Sequence, residues 1–161
     1  QYSQESYLPY ELNGKECRRL VEKMMDGPEA GDGSPRISMV IYGTIPMMLS
    51  ANCIRKTASA CPGRTDSRNV LEDYYLTDRY HVRFPVFCNC RHCYNVLYNS
   101  VPYSLHQKRE ELSEMRLFAV RLDFVRETGT QTEKILDYYF GKSDVFPVTE
   151  YTAGHYKRGV E

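Results

Sequence analysis

The chain has no tryptophan, no net charge and no long uninterrupted apolar run. The missing tryptophan, like the high tyrosine content, carries no functional implication. Lys plus Arg number 21 and Asp plus Glu number 21, a formal balance of zero. That balance removes the bulk electrostatic argument for nucleic acid or an anionic membrane, and leaves room for a local basic patch. The longest apolar stretch, residues 37–49, is interrupted by Ser38, Tyr42, Gly43, Thr44 and Pro46. It falls short of the roughly 18 consecutive apolar residues that a membrane helix needs. Residues 1–7 are polar and do not form a secretory signal, although the chain starts with Gln and not Met. There is also no G-x-S-x-G, no H-E-x-x-H, no P-loop, no internal repeat and no low-complexity tract.

What is present suits a folded chain. Its 161 residues are enough for one ordinary domain or a large piece of a bigger protein. Apolar residues make up 42% and charged residues 26%, a globular balance. Residues 6–12 read as a short strand ending at the turn or helix cap Asn13-Gly14. Over residues 15–25 the apolar positions Cys17, Leu20, Val21, Met24 and Met25 follow helical spacing. A Gly- and Pro-containing loop over 26–35 stops that helix, and residues 37–42 form the continuous apolar run of a strand buried on both faces. This strand–helix–strand order predicts a parallel α/β sheet, open or closed into a barrel.

The middle of the chain, residues 50–100, reads as irregular, with a polar loop over 62–69. A small hairpin is predicted around Asp78-Arg79, where Tyr74 and Leu76 face Val82, Phe84 and Val86. Further on, residues 105–115 have helical composition and residues 117–125 alternate as a strand. A second helix is predicted over 130–140, capped by Thr130 with Glu133 three residues later, and a loop-like tail follows. Three segments result: a strand–helix–strand piece over 1–50, a cysteine-rich piece over 51–100, and a helix–strand–helix piece with its tail over 101–161.

Six cysteines are too few for a disulfide scaffold of this length, yet five lie between Cys53 and Cys93. In a chain without a signal, and so with a cytoplasmic expectation, such clustering points to metal binding or redox chemistry. Thiolates bind soft or borderline metals, and four of them complete a zinc site or an iron–sulfur cluster. Cys90-Arg91-His92-Cys93 is the short pair that lets two sulfurs converge on one centre. The Cys53–Cys61 spacing is wider than in the usual paired zinc ligands and favours iron–sulfur, with zinc as the alternative. A redox Cys-x-x-Cys is a further reading. Cys17, on the apolar face of its helix, reads as a buried small residue, and His92 as a solvent-facing spacer.

Longer motifs surround these cysteines. Residues 45–57, from Ile45-Pro46-Met47 through Ser50-Ala51-Asn52-Cys53-Ile54-Arg55-Lys56-Thr57, combine with Cys90-Arg91-His92-Cys93-Tyr94-Asn95 and Leu97-Tyr98-Asn99-Ser100. Together with Pro9-Tyr10-Glu11-Leu12-Asn13, Arg121-Leu122-Asp123-Phe124 and the segment from Gly154-His155-Tyr156 to Glu161, they span nearly the whole chain. In this order they resemble peptidase family U-thirty-two, the collagenase-like proteases. The resemblance implies the C-terminal part of a TIM-barrel-like domain with an irregular cysteine-rich insert, the rest of the barrel preceding Gln1. It also implies a 4Fe–4S cluster on Cys53, Cys61, Cys90 and Cys93, with Cys88 outside the pattern. Members are labelled peptidases, and others hydroxylate RNA bases or the ubiquinone ring with the cluster.

The expected partners are therefore the rest of the barrel and a peptide or RNA substrate, with no membrane. Glu11 and Asn13 lie at a predicted strand end, where barrel residues act on substrate; their plainer role is turn and cap chemistry. His155 is a base candidate or a surface histidine. Arg55, Lys56, Arg64, Arg68, Arg79, Arg83 and Arg91 make the cysteine region basic, which suits an anionic substrate, a negatively charged thiolate cluster or a solvated loop. Three functions follow: a peptidase-type hydrolase, an iron–sulfur hydroxylase acting on RNA or a small ring, and a metal-stabilised structural module.

Overall fold

The computed structural model describes residues 5–27, 35–58, 61 and 70–158. In chain order these form β1 (Glu5–Leu8), α1 (Gly14–Met25), β2 (Arg36–Gly43), β3 (Pro46–Ser50), α2 (Ile54–Ala58) and β4 (Val70–Thr77). There follow β5 (Arg83–Asn89), β6 (Tyr94–Tyr98), β7 (Tyr103–Ser104), α3 (Arg109–Ser113), β8 (Ala119–Asp123) and α4 (Gly129–Tyr139). Single 3-10 turns occupy His106–Lys108 and Gly154–Lys157. No helix among the described residues is long and apolar enough to cross a membrane. The chain divides into two compact units, Gln1–Gly43 with Pro102–Glu161, and Thr44–Val101. The first and last predicted segments thus belong largely to one unit, with the cysteine-rich segment inserted in the chain between them.

The first unit is α/β, built on β2. All of β2 after Arg36 is buried, which is why its sequence shows no alternation: both faces pack. It pairs in parallel with β1 from Glu5↔Arg36 to Leu8↔Met39, and in parallel with β8 from Ser38↔Ala119 to Gly43↔Asp123. Its last two residues, Tyr42 and Gly43, also pair antiparallel with β7. Two parallel neighbours reached through α1 and α3 are the crossover connections that the sequence order predicts. Helix α1 starts where Asn13 accepts from the Glu16 amide (3.0 Å) and Glu16 accepts from the Asn13 amide (2.9 Å), a reciprocal cap. Its Cys17 and Val21 are buried, as the helical spacing requires.

Three local expectations are corrected. The first strand ends at Leu8, because residues 10–12 turn into the helix cap. Helix α4 is capped two residues early, by Thr128 with Gln131 and not Thr130 with Glu133. Both pairs satisfy the same local pattern; just before the cap, Glu127 accepts from the Val125 and Arg126 amides and from the Tyr42 hydroxyl (2.8 Å). The predicted helix over 105–115 is a 3-10 turn followed by only five α-helical residues.

The second unit is the larger correction. The segment expected to be irregular is a four-stranded antiparallel sheet in the order β3-β6-β5-β4. The predicted hairpin is present as β4 and β5, pairing Leu76 with Phe84 and Thr77 with Arg83. Strand β3 escapes a sequence reading because Met47, Met48 and Leu49 are all exposed, and β6 because only Asn95 of its five residues is buried, so no apolar alternation marks either strand. The predicted loop over 62–69 lies outside the described residues.

Candidate metal centre

Strands β5 and β6 pair through Asn89↔Tyr94, so Cys90-Arg91-His92-Cys93 is the four-residue turn of a hairpin. Asn89 Oδ1 accepts from the His92 amide at 3.1 Å, and Cys93 closes the turn with φ 55°. A left-handed backbone at a residue other than glycine costs about 1 kcal/mol, and His81 and Arg116 adopt it in this chain as well. The turn keeps Arg91 and His92 exposed, Cys93 half-buried and Cys90 buried. His92 stacks loosely on Tyr94, a spacer's position.

Cys53 immediately precedes α2 and accepts at its carbonyl from the Thr57 amide and hydroxyl, both at 3.2 Å. The helix then directs Arg55 onto the hairpin: its guanidinium donates to Cys90 Sγ at 3.2 Å. The contact places a fixed positive charge beside one of the candidate ligand sulfurs. Cys88, near the end of β5, is buried in the same cluster as Cys90. Burial pushes the Cys88 thiol up, the Cys53 and Cys90 sulfurs within electrostatic reach add to the shift, and Arg55 offsets part of it. The buried core of the unit is Val86, Cys88 and Cys90, against which Ile54, Tyr74 and Leu97 pack.

Thus Cys88 lies within electrostatic reach of the Cys53 and Cys90 sulfurs, and Cys93 is on the same turn as Cys90. Cys61 is half-buried, between stretches outside the described residues. Among the described residues, no three His, Cys, Asp or Glu side chains already converge closely enough to share one metal ion. Cys90 and Cys93 instead lie 3.8 Å from the carbonyls of Cys88 and Cys90. The chemistry of the donors fits a thiophilic metal or cluster: soft sulfurs, one cation at hydrogen-bond distance, and a tight turn. Asn95, opposite Cys88, donates to the Asn52 carbonyl at 2.6 Å, while its Oδ1 is buried without a partner among the described residues. Of the basic residues predicted here, Arg79 and Arg83 lie over Tyr80 and Tyr75, and Arg64 and Arg68 are outside the described residues.

The other predicted site residues lie elsewhere. Asn13 is the cap of α1, Glu11 is exposed, and His155 is exposed on the last 3-10 turn. The C-terminal edge of the parallel strands is occupied by Tyr10 and Asp123. Arg121 holds Asp123 side-on, both contacts at 2.7 Å, and the Tyr10 hydroxyl lies 3.5 Å from Asp123. The signal for Asp123 was its position at the end of the alternating strand.

Sequence reasoning also missed a serine–histidine contact. Ser104 Oγ and His106 Nδ1 are 3.0 Å apart, two residues from each other and without a motif to announce them. Ser104 is buried, and the His106 ring stacks on Phe146 at 4.0 Å with Tyr151 edge-on at 4.5 Å. Burial lowers the His106 pKa below the ordinary imidazole value. The unfolded chain therefore binds the extra proton as pH falls through the unperturbed value of about 6.5, and stability drops toward the folded value. Urea titrations between pH 7.5 and 5.5 should show this loss, and His106→Gln should flatten it; an unchanged slope in the variant would assign the loss elsewhere.

No family model, curated protein or solved structure matches the chain.

Proposed function

We propose that Cys53, Cys61, Cys90 and Cys93 bind an iron–sulfur cluster, and that the chain is the C-terminal portion of a collagenase-like, U-thirty-two-type protein. The observation that carries this reading is the hairpin turn presenting Cys90 and Cys93, with the Arg55 guanidinium on Cys90 Sγ. A second support is physical. A unit whose buried apolar core among the described residues is one valine and two thiols has little hydrophobic stabilisation of its own. Units that small are commonly held by metal or disulfides. All six cysteines are free thiols.

The barrel reading rests on connectivity. The β1-α1-β2 and β2-α3-β8 crossovers are parallel, and β1 and β8 each pair only with β2 among the parallel strands. Phe118 and Val120 are half exposed and border an apolar cavity of about 530 Å³. Such a surface is what the remaining barrel elements would cover. The cysteine unit is inserted after Gly43, at the C-terminal end of β2. In a barrel that end carries the active site.

Held by these cysteines, a cluster would supply electron transfer, so the reaction favoured is oxidation, such as hydroxylation of RNA or a small ring. Arg55 would stabilise the bound thiolate, and the turn would hold two ligands in register. Iron, sulfide and zinc analysis of anaerobically purified protein tests the site: about four irons and four sulfides per chain are expected. One zinc and no iron would sink the cluster and leave a structural metal. The Ser104–His106 contact favours a second reading, the peptidase. Peptide cleavage lost in Ser104→Ala but kept in Cys90→Ser would establish it over hydroxylation; no peptide cleavage by the parent chain is expected.

A further inference from the structure

The C-terminal segment, read from sequence as loop, builds one wall of a cavity. The backbone of 152 is tied on both sides: Ser104 donates to the Thr152 carbonyl at 2.8 Å and Thr152 donates to Pro102 at 2.9 Å. Gly154 then turns the chain with φ 55°, where a Cβ would meet the Tyr103 ring at 3.3 Å. The following 3-10 turn is pinned by Tyr156, which is buried and donates to Glu111 Oε1 at 2.9 Å. Anchoring Tyr156 inward leaves Lys157 and Arg158 outward, at the rim of a cavity of about 450 Å³.

The lining is rich in donors. It includes Lys108, Lys157, Arg158, the Gln107 amide and the Thr152 hydroxyl, and none of the described lining residues is acidic. Thr152 Oγ1 already accepts from the Gly154 amide at 3.0 Å, which leaves its O–H to donate. Lys108 is paired with Glu111 at 3.1 Å, and that carboxylate is also held by Tyr156. The side chains of Lys157 and Arg158 have no ion pair among the described residues. Three cations against one nearby carboxylate leave a surplus that matches a dianion. A planar guanidinium beside an ammonium and a hydroxyl suits a phosphate, which accepts several hydrogen bonds in different directions. The volume exceeds that of a bare phosphate and lies in the range of small-molecule sites.

We infer that this cavity binds a phosphate group, either free or as a phosphomonoester. This inference stands apart from the cysteine site. Calorimetric titration of the full chain, in chloride buffer at constant ionic strength, tests it with inorganic phosphate, adenosine 5′-monophosphate, adenosine and acetate. Saturable one-to-one binding is expected for the two phosphates and none for adenosine or acetate. Tighter binding of the monophosphate identifies an ester site; equal binding identifies a free-phosphate site. The double variant Lys157→Glu/Arg158→Glu should weaken binding about tenfold or more. Both residues are exposed, so its circular dichroism should match the parent. The variant Lys15→Glu/Arg19→Glu makes the same charge change on the exposed face of α1, away from the lining, and should bind as the parent does. Absence of saturable binding, equal effects of the two double variants, or adenosine or acetate binding as well as its phosphate counterpart would overturn the inference.

Discussion

Replacing Cys90 by serine should remove most of the iron from anaerobically purified protein, from about four atoms per chain to less than one. Cys90 is the thiol that the unit is built around: buried, at the base of the β5–β6 turn, and contacted by Arg55 at 3.2 Å. Serine keeps the shape but offers a hard oxygen of high pKa in place of a soft thiolate. Cys88→Ser, two residues earlier and buried in the same cluster but outside the proposed four, should keep the iron. Iron retained in Cys90→Ser, or lost equally in Cys88→Ser, would break the assignment of ligands. Arg55→Gln separates the cation from the ligands: iron should remain, but the visible spectrum should bleach at a more negative potential. The loss of a positive charge beside a thiolate disfavours the reduced, more negative state.

Gly43→Ala should cost about 3 kcal/mol in urea unfolding, through backbone strain and overlap acting together. Gly43 has φ 154°, and a Cβ there would lie 2.8 Å from both Asp123 Cβ and the Asp123 carbonyl oxygen. Those two residues are register partners at the end of the β2–β8 ladder. Relief would require that end of the ladder to open, and with it the Arg121–Asp123 pair and the backbone that leads into Glu127. A loss below about 0.5 kcal/mol, the ordinary range for a harmless surface change, would show that the strand end yields freely. Tyr42, next in the strand, is held by burial and by its bond to Glu127, which together push its hydroxyl pKa well above the ordinary phenol value.

The parts legible from sequence are those whose signal is local. The amphipathic spacing of Cys17 and Val21 with the Asn13 cap specifies α1, and the largely apolar run of β2 specifies a strand covered on both faces. The hairpin between β4 and β5 was visible in its alternation and turn. The cap of α4 was only half legible, since Thr128-x-x-Gln131 and Thr130-x-x-Glu133 are equivalent as local patterns. Strands β3 and β6 were not legible, because the exposed methionines and leucine of β3 give no period and the one buried residue of β6 is the polar Asn95.

The sequence by itself determined the composition of the candidate site, five thiols within one segment including a Cys-x-x-Cys, because donor chemistry belongs to residue type. It also determined an α/β order with parallel crossovers, because periodicity and connection length constrain handedness. Only the tertiary structure decided that the cysteine pair caps a β-hairpin, that Arg55 reaches Cys90, and that Ser104 meets His106. It alone gathered Lys108 with Lys157 and Arg158 around one cavity, although about fifty residues of sequence separate them. Contacts across such distances depend on how strands register and where turns close, and no local pattern carries that information.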